Sequence, residues 1–242
     1  MPAPIATCHV CGGPTINAHL FPRALVHDLR GAHKQLYVGG VAAPGRRTVQ
    51  SGLVDKTILC ATHDGILGDY DNYGIQFCRT FEKTATAPKP NIWHVAGIDG
   101  DKLTRFWLGN LWRFGISNLP EARDVKLGAL DPMIRDILFN GASCSTEPAV
   151  MMLRYKARVI TAENICFPPY ASAFHGSTGN AYGMAIAGFQ AFVKIDGPPL
   201  DAPMQGLTIN GKTNITGGTL QFEDTEQYRR SVQIACNMAR RP

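Results

Sequence analysis

The chain has 242 residues, 45% hydrophobic and 18% charged, with a formal net charge of +5. Those proportions exclude a disordered or collagen-like polymer, and no apolar run is long enough to span a bilayer, so no membrane role is expected. Five excess positive charges permit contact with DNA or RNA without demanding it, because the basic clusters are small: Arg46-Arg47, Arg229-Arg230 and Arg240-Arg241.

One large domain or two small ones are both open at this length. The N-terminus has no basic region backed by an apolar stretch. Seven cysteines in no dense pattern argue against a secreted disulfide scaffold. A reducing cytoplasm is the expected compartment, with Cys78, Cys144, Cys166 and Cys236 as small hydrophobes.

In chain order, the first feature is Cys8-His-Val-Cys11, followed by Gly12-Gly13, which suits the tight turn of a metal knuckle. Pro22 stops any strand near His19, and Arg23 to Arg30 suits a short helix. Gly39 to Arg47 reads as a solvated loop or a phosphate-contacting one. Leu53 to Leu59 suits a strand leading into Cys60-Ala-Thr-His63. With seven Cys and seven His, about one i, i+3 pair arises by chance; two pairs in suitable context point to a Cys₃His metal site. Metal-bound Cys8, Cys11, Cys60 and His63 are the expected set, with Zn²⁺ as the structural ion.

After the second pair, Ile66, Leu67, Tyr70, Tyr73 and Phe77 recur at helical spacing, with Asp64, Asp69, Asp71 and Asn72 on or beside the polar face. Pro88 and Pro90 mark a boundary. Leu103, Phe106, Trp107, Leu111, Trp112 and Phe114 form the apolar stripe of a core helix ending near Ser117. Asp131-Pro132 reads as a helix start and Gly141 as its end. Val150 to Ile160 and Tyr182 to Ile195 favour strands, Asn210-Gly211 signals a hairpin, and Phe167 to Asn180, with His175, reads as a loop. A final helix spans about 225–240, with Tyr228, Val232, Ala235 and Met238 on its inner face. The expected fold is α+β: a metal-stapled unit (1–85), a helical region (86–147), then an antiparallel sheet with a closing helix (148–242).

The run Cys-x-x-Cys, Ala18-His19-Leu-Phe-Pro22-Arg23, Leu59-Cys60-x-x-His63-Asp64 and Leu67-Gly68 resembles the HNH endonuclease superfamily, in the branch built on a zinc-bound treble clef. Residues 8 to about 140 carry the resemblance. It implies a ββα-metal core in which His19 activates water against a phosphodiester and Asp64 helps bind Mg²⁺ or Mn²⁺. The chain departs from the pattern at Ala18, which offers no ligand. Asp28 folding back is one substitute; separately, His19 has a non-catalytic alternative, as a zinc ligand in place of His63. Two functions follow: a metal-dependent endonuclease, or a non-catalytic zinc-stapled protein docking on a protein partner, for example in a phage–host conflict. Thiol redox chemistry at Cys8-x-x-Cys11 is disfavoured, because Gly12-Gly13-Pro14 cannot open a helix.

Overall fold

The described residues of the N-terminal segment are organised by turns, a short helix and short strand pairings. The computed structural model describes residues 6–31, 36–38, 47–173 and 180–239. Thr7 bridges Pro14 across a turn that carries Cys8 and Cys11. Then come β1 (Ala18–His19), α1 (Arg23–Arg30), β2 (Leu36–Val38), β3 (Arg47–Val49) and β4 (Val54–Asp55). β1 pairs antiparallel with β4, and β2 with β3. Pro22 caps α1 without a side-chain bond, and α1 buries Leu25 and Val26. The strand expected over Leu53–Leu59 shrinks to the two residues of β4. Residues 39–46 lie outside those described, and so does the reading of them as a loop.

α2 (Ala61–Thr84) is the long element of the molecule. It starts at the second ligand pair, as its apolar spacing predicts, and buries Leu67, Ile75, Phe77, Cys78 and Phe81. Gly74 lets it approach the next helix closely, since a methyl group there would sit 2.2 Å from the Phe106 ring. After α2 the chain forms β5 (Thr86–Lys89) and β6 (Ile92–Ala96), joined by a tight turn in which Asn91 has φ 60°. Asn tolerates that region better than most residues. α3 (Gly100–Ile116) follows, capped by Asp99, whose carboxylate accepts from the Lys102 N–H. Every residue from Phe106 to Phe114 in α3 is buried, so the aromatic stripe is core, as its pattern predicts.

α4 (Leu130–Phe139) begins before Asp131, not at it. Asp131 is no cap: its carboxylate accepts from Trp112 Nε1 at 2.6 Å, which ties α4 to α3. The remaining elements are β7 (Val150–Lys156), β8 (Phe167–Ala173), β9 (Asn180–Ile186), β10 (Phe189–Lys194), α5 (Ala202–Leu207), β11 (Asn214–Gln221) and α6 (Glu226–Ala239). Ala187 and Gly188, both at positive φ, make the two-residue turn between β9 and β10, a geometry matched to strand twist.

The fold class is α+β. Among the described residues, six helices accompany a seven-stranded sheet of order β5-β6-β11-β7-β10-β9-β8. That sheet is neither wholly C-terminal nor wholly antiparallel. β5 and β6 join it from the segment read as helical, and β11 runs parallel to β7. Pro88 and Pro90 concealed the first pair: β5 is an exposed edge strand, where proline leaves no ladder bond unmade. The same holds at the other edge, where β8 contains Pro168 and Pro169 and replaces the expected loop. Residues 174–179, including His175, lie outside those described. Asn210-Gly211 makes a turn but no hairpin, because α5 precedes it. Buried Asn210 instead accepts from the Val150 N–H and donates to the Cys144 and Pro148 carbonyls.

One hydrophobic cluster runs from Cys8, Ala18 and Leu20 through α2, α3 and α4 to Met184, Phe189 and Ile215 of the sheet. The segment with Cys8 and Cys60 is thus packed into the common core. Asp55 fastens it further. This buried carboxylate on β4 accepts from Thr57 N–H and Oγ1, and from Ser117 Oγ and the Asn118 N–H just past α3. α6 forms where expected, and Tyr228 packs edge-on to Phe222. Val232 is 43% exposed and lines an apolar groove of about 600 Å³ with α1 and β8. The side chain of Met238 is outside those described.

Candidate metal centre and adjoining cleft

Cys8 and Cys11 sit on a knuckle closed by two backbone bonds, Cys8 N–H to the Gly13 carbonyl and Gly12 N–H to the Cys8 carbonyl. Gly12 has φ 71°, a conformation that suits glycine. The second pair reaches the same place because His9 N–H and Ile16 N–H bond the Ile58 and Leu59 carbonyls, laying the two segments side by side. Cys60 occupies the N-cap position of α2 and His63 its first turn. Phe139 of α4 packs edge-on to the His63 ring, 5.2 Å between centroids.

The ligating atoms of Cys8, Cys11, Cys60 and His63 all lie within 4.8 Å of one another, so the four can hold one metal ion. Cys11 and Cys60 sulfurs are 3.8 Å apart. His63 Nδ1 is 3.1 Å from the Cys60 sulfur and 3.6 Å from that of Cys8. Burial works to raise the Cys8 thiol, but backbone bonds at Cys11, Val10 and Cys60 outweigh it and hold the group below its ordinary value. At Cys11 a bond at Gly13 favours the thiolate, yet desolvation, and after it the neighbouring Cys60 and Cys8, push it up. Crowded thiolates of this kind are what a cation relieves. Elsewhere burial pushes the thiols of Cys78, Cys144 and Cys166 up to about 12, as suits inert core groups. Cys236 departs from that expectation and is exposed.

His19 is not among the four ligands. It lines a separate cleft of about 340 Å³ with Asn17, Arg23, Asp64, Gly68, Asp71, Asn72 and Arg113. The structure therefore brings His19 and Asp64, the two residues singled out for catalysis, to one cavity. Ala18 is fully buried in the core. Alternation along β1 turns it away from His19, and it is not among the residues that line this cleft. Asn17, two residues before His19, shares the His19 side instead. Asp28 does not fold back: Arg79 holds both its oxygens, at 2.8 and 2.9 Å.

His19 Nε2 is buried and has no hydrogen-bond partner among the described residues. A backbone bond at Ser51 favours the protonated ring, as a carbonyl accepting from a ring N–H does. A neutral ring that carries its proton on Nδ1 would present a lone pair at Nε2. Burial is the main cause of a pKa below the ordinary imidazole value; Asp64 opposes it, and Arg23 and Arg113 reinforce it.

Asp64, Gly68 and Asp71 are spaced i, i+4, i+7 on α2, one helical face with a small residue at its centre. The sequence pattern puts both acids on or beside the polar face of the helix and gives only Asp64 a role, although the spacing that joins Asp71 to it is legible. Arg113 was harder to find. It lies in the apolar run of α3, is 2% exposed, and forms a bidentate pair with Asp71 at 2.7 and 3.1 Å. Burial pushes the Asp71 carboxyl up, against the pull of Arg113. Among known proteins, no family model, no curated protein and no solved structure matches the chain. No helix among the described residues is long and apolar enough to cross a membrane.

Proposed function

We propose that the chain is a metal-dependent endonuclease with HNH-like chemistry, and that Cys8, Cys11, Cys60 and His63 bind a structural Zn²⁺. Three thiolates and an imidazole are a soft donor set suited to zinc. A tetrahedron with metal–sulfur bonds of about 2.3 Å has edges of about 3.8 Å, the Cys11–Cys60 separation. What carries the catalytic reading is the buried, unpartnered Nε2 of His19 in one cleft with Asp64.

In this reading His19 Nε2 takes a proton from water, and the oxygen of that water attacks phosphorus as the bond to the leaving oxygen breaks. Asp64, with Asn17 or Asn72, offers hard oxygen donors for Mg²⁺ or Mn²⁺. Such an ion, when bound, offsets charge on the phosphate and the leaving oxygen. The substrate is DNA or RNA. Purified protein with Mg²⁺ or Mn²⁺ should nick plasmid or degrade RNA, and His19→Ala should lower the rate by about 10²–10⁴-fold. Unchanged cleavage in that variant ends the assignment.

A second reading rests on Ala18, which leaves β1 without the ligand the resemblance implies beside His19. There the ion is a folding staple, and the chain binds a protein partner without catalysis. One tightly held ion per chain, with no response to added Mg²⁺ or Mn²⁺, supports that alternative.

A further inference from the structure

Arg113 enters the His19 cleft from α3, outside the metal-tethered segment. Its neighbours along the helix are Trp112 and Phe114, both fully buried. A guanidinium at such a position is costly to bury unless its donors are used. Asp71 takes one N–H from each Nη. Nε is buried and has no hydrogen-bond partner among the described residues.

His19 and Arg113 both line one cleft, each holds a buried nitrogen without a hydrogen-bond partner among the described residues, and the two nitrogens are complementary. With the ring proton on Nδ1, His19 Nε2 offers a lone pair; Arg113 Nε offers an N–H beside a full positive charge. A tetrahedral phosphate with a water at its side satisfies both: a phosphate oxygen accepts from Arg113, and the water donates to His19. The planar fork of arginine matches phosphate geometry in a way that lysine does not. We propose that Arg113 is the phosphate-binding residue of the cleft and that Asp71 is a positioning residue that aims it, not a ligand for a divalent cation. This rests on the phosphodiester reading of the same cleft.

The test uses the full chain with its structural metal in place. In a His19→Ala background, which prevents cleavage, short oligonucleotide binding is measured with and without Arg113→Gln and Arg113→Lys. Loss of the buried partner should weaken binding on the order of tenfold to a hundredfold, and Arg113→Lys should restore only part of it. Metal content and circular dichroism confirm that each variant folds. Asp71→Asn should raise KM and leave unchanged the Mg²⁺ concentration for half-maximal rate; a large rise in that concentration makes Asp71 a cation ligand and overturns its role here. In the unmutated protein, added inorganic phosphate should shift the Arg113 Nε resonance. That shift in a chain that neither cleaves nor binds nucleic acid would support the anion site while removing the nuclease reading. Oligonucleotide binding that is the same in Gln, Lys and Arg113 forms would overturn the proposal.

Discussion

The Cys₃His cluster and the His19 cleft diverge at adjacent residues of α2: His63 faces the cluster and Asp64 the cleft. The cluster is built locally, from two i, i+3 pairs whose turns present both ligands of each pair at once. The cleft is assembled from four places, with Asn17 and His19 around β1, Arg23 of α1, Asp64 and Asp71 of α2, and Arg113 of α3. On the proposed reading the difference has a consequence: the first site organises the second. The proposed ion, in joining residue 8 to residue 63, would also fix the start of α2 against β1, so that the cleft would inherit its geometry from the cluster.

The sharpest way to break that dependence is to remove the ion. Cys60→Ser, or a strong chelator, should empty the site and lower the first melting transition by on the order of 10 °C. Differential scanning calorimetry with elemental analysis checks this. Phosphodiester cleavage should disappear with it, although no cleft residue has been touched. Cleavage that survives loss of the metal would show the two sites to be independent.

The converse change spares the cluster. His19→Ala should keep its metal and its melting temperature while losing cleavage. In the unmutated protein the pH profile carries a sign. Burial lowers the His19 pKa, so the base form is already present at neutral pH. The acid limb of kcat/KM should fall below about 6.5, the ordinary imidazole value, and the rate should be flat from there through pH 7.5. An acid limb centred above pH 7 would be falsifying for His19 as the base.

This contrast also explains how much was legible. Cys-x-x-Cys, Cys-x-x-His and the glycines beside them state their purpose within a few residues, because metal ligation needs short spacing. The helices α2 and α3 announce themselves through apolar periodicity. The strands β5 and β8 did not, because prolines at a sheet edge look like breaks until the neighbouring strand is known. Arg113 was illegible for a related reason: one charge in an apolar helix acquires meaning only through Asp71, 42 positions away. Asn210 likewise looked like a hairpin turn and proved to be a buried bridge between three backbone groups.

The joint between cluster and core gives a smaller effect. Asp55 holds Ser117 and Asn118, so Asp55→Ala should strip the metal segment of its anchor to α3. Leaving those donors without their acceptor should cost about 2–4 kcal/mol, read from urea unfolding. The pH sign is the carboxylate one. Burial works to raise the Asp55 pKa, but hydrogen bonds from Thr57, Ser117 and Asn118 prevail and leave it below the ordinary value of 3.8. The stabilisation is therefore present above that value and is lost as pH falls through the lower folded one. Wild-type stability should drop toward that of Asp55→Asn only in strong acid.

Asp28 gives the smallest effect and the finest discrimination. The resemblance left open that this residue folds back to serve the catalytic metal in place of Ala18. Arg79 instead grips it on an exposed face, with side chains 39% and 48% exposed. Exposed pairs contribute about 0–1 kcal/mol. Asp28→Ala should therefore move the urea midpoint only slightly and leave cleavage, including its Mg²⁺ dependence, where it was. A large loss of cleavage with metal content intact would mean that Asp28 leaves Arg79 during turnover. The cleft would then be completed by α1, and the assignment of hard-cation ligands to Asp64 and its asparagine neighbours would have to be redrawn.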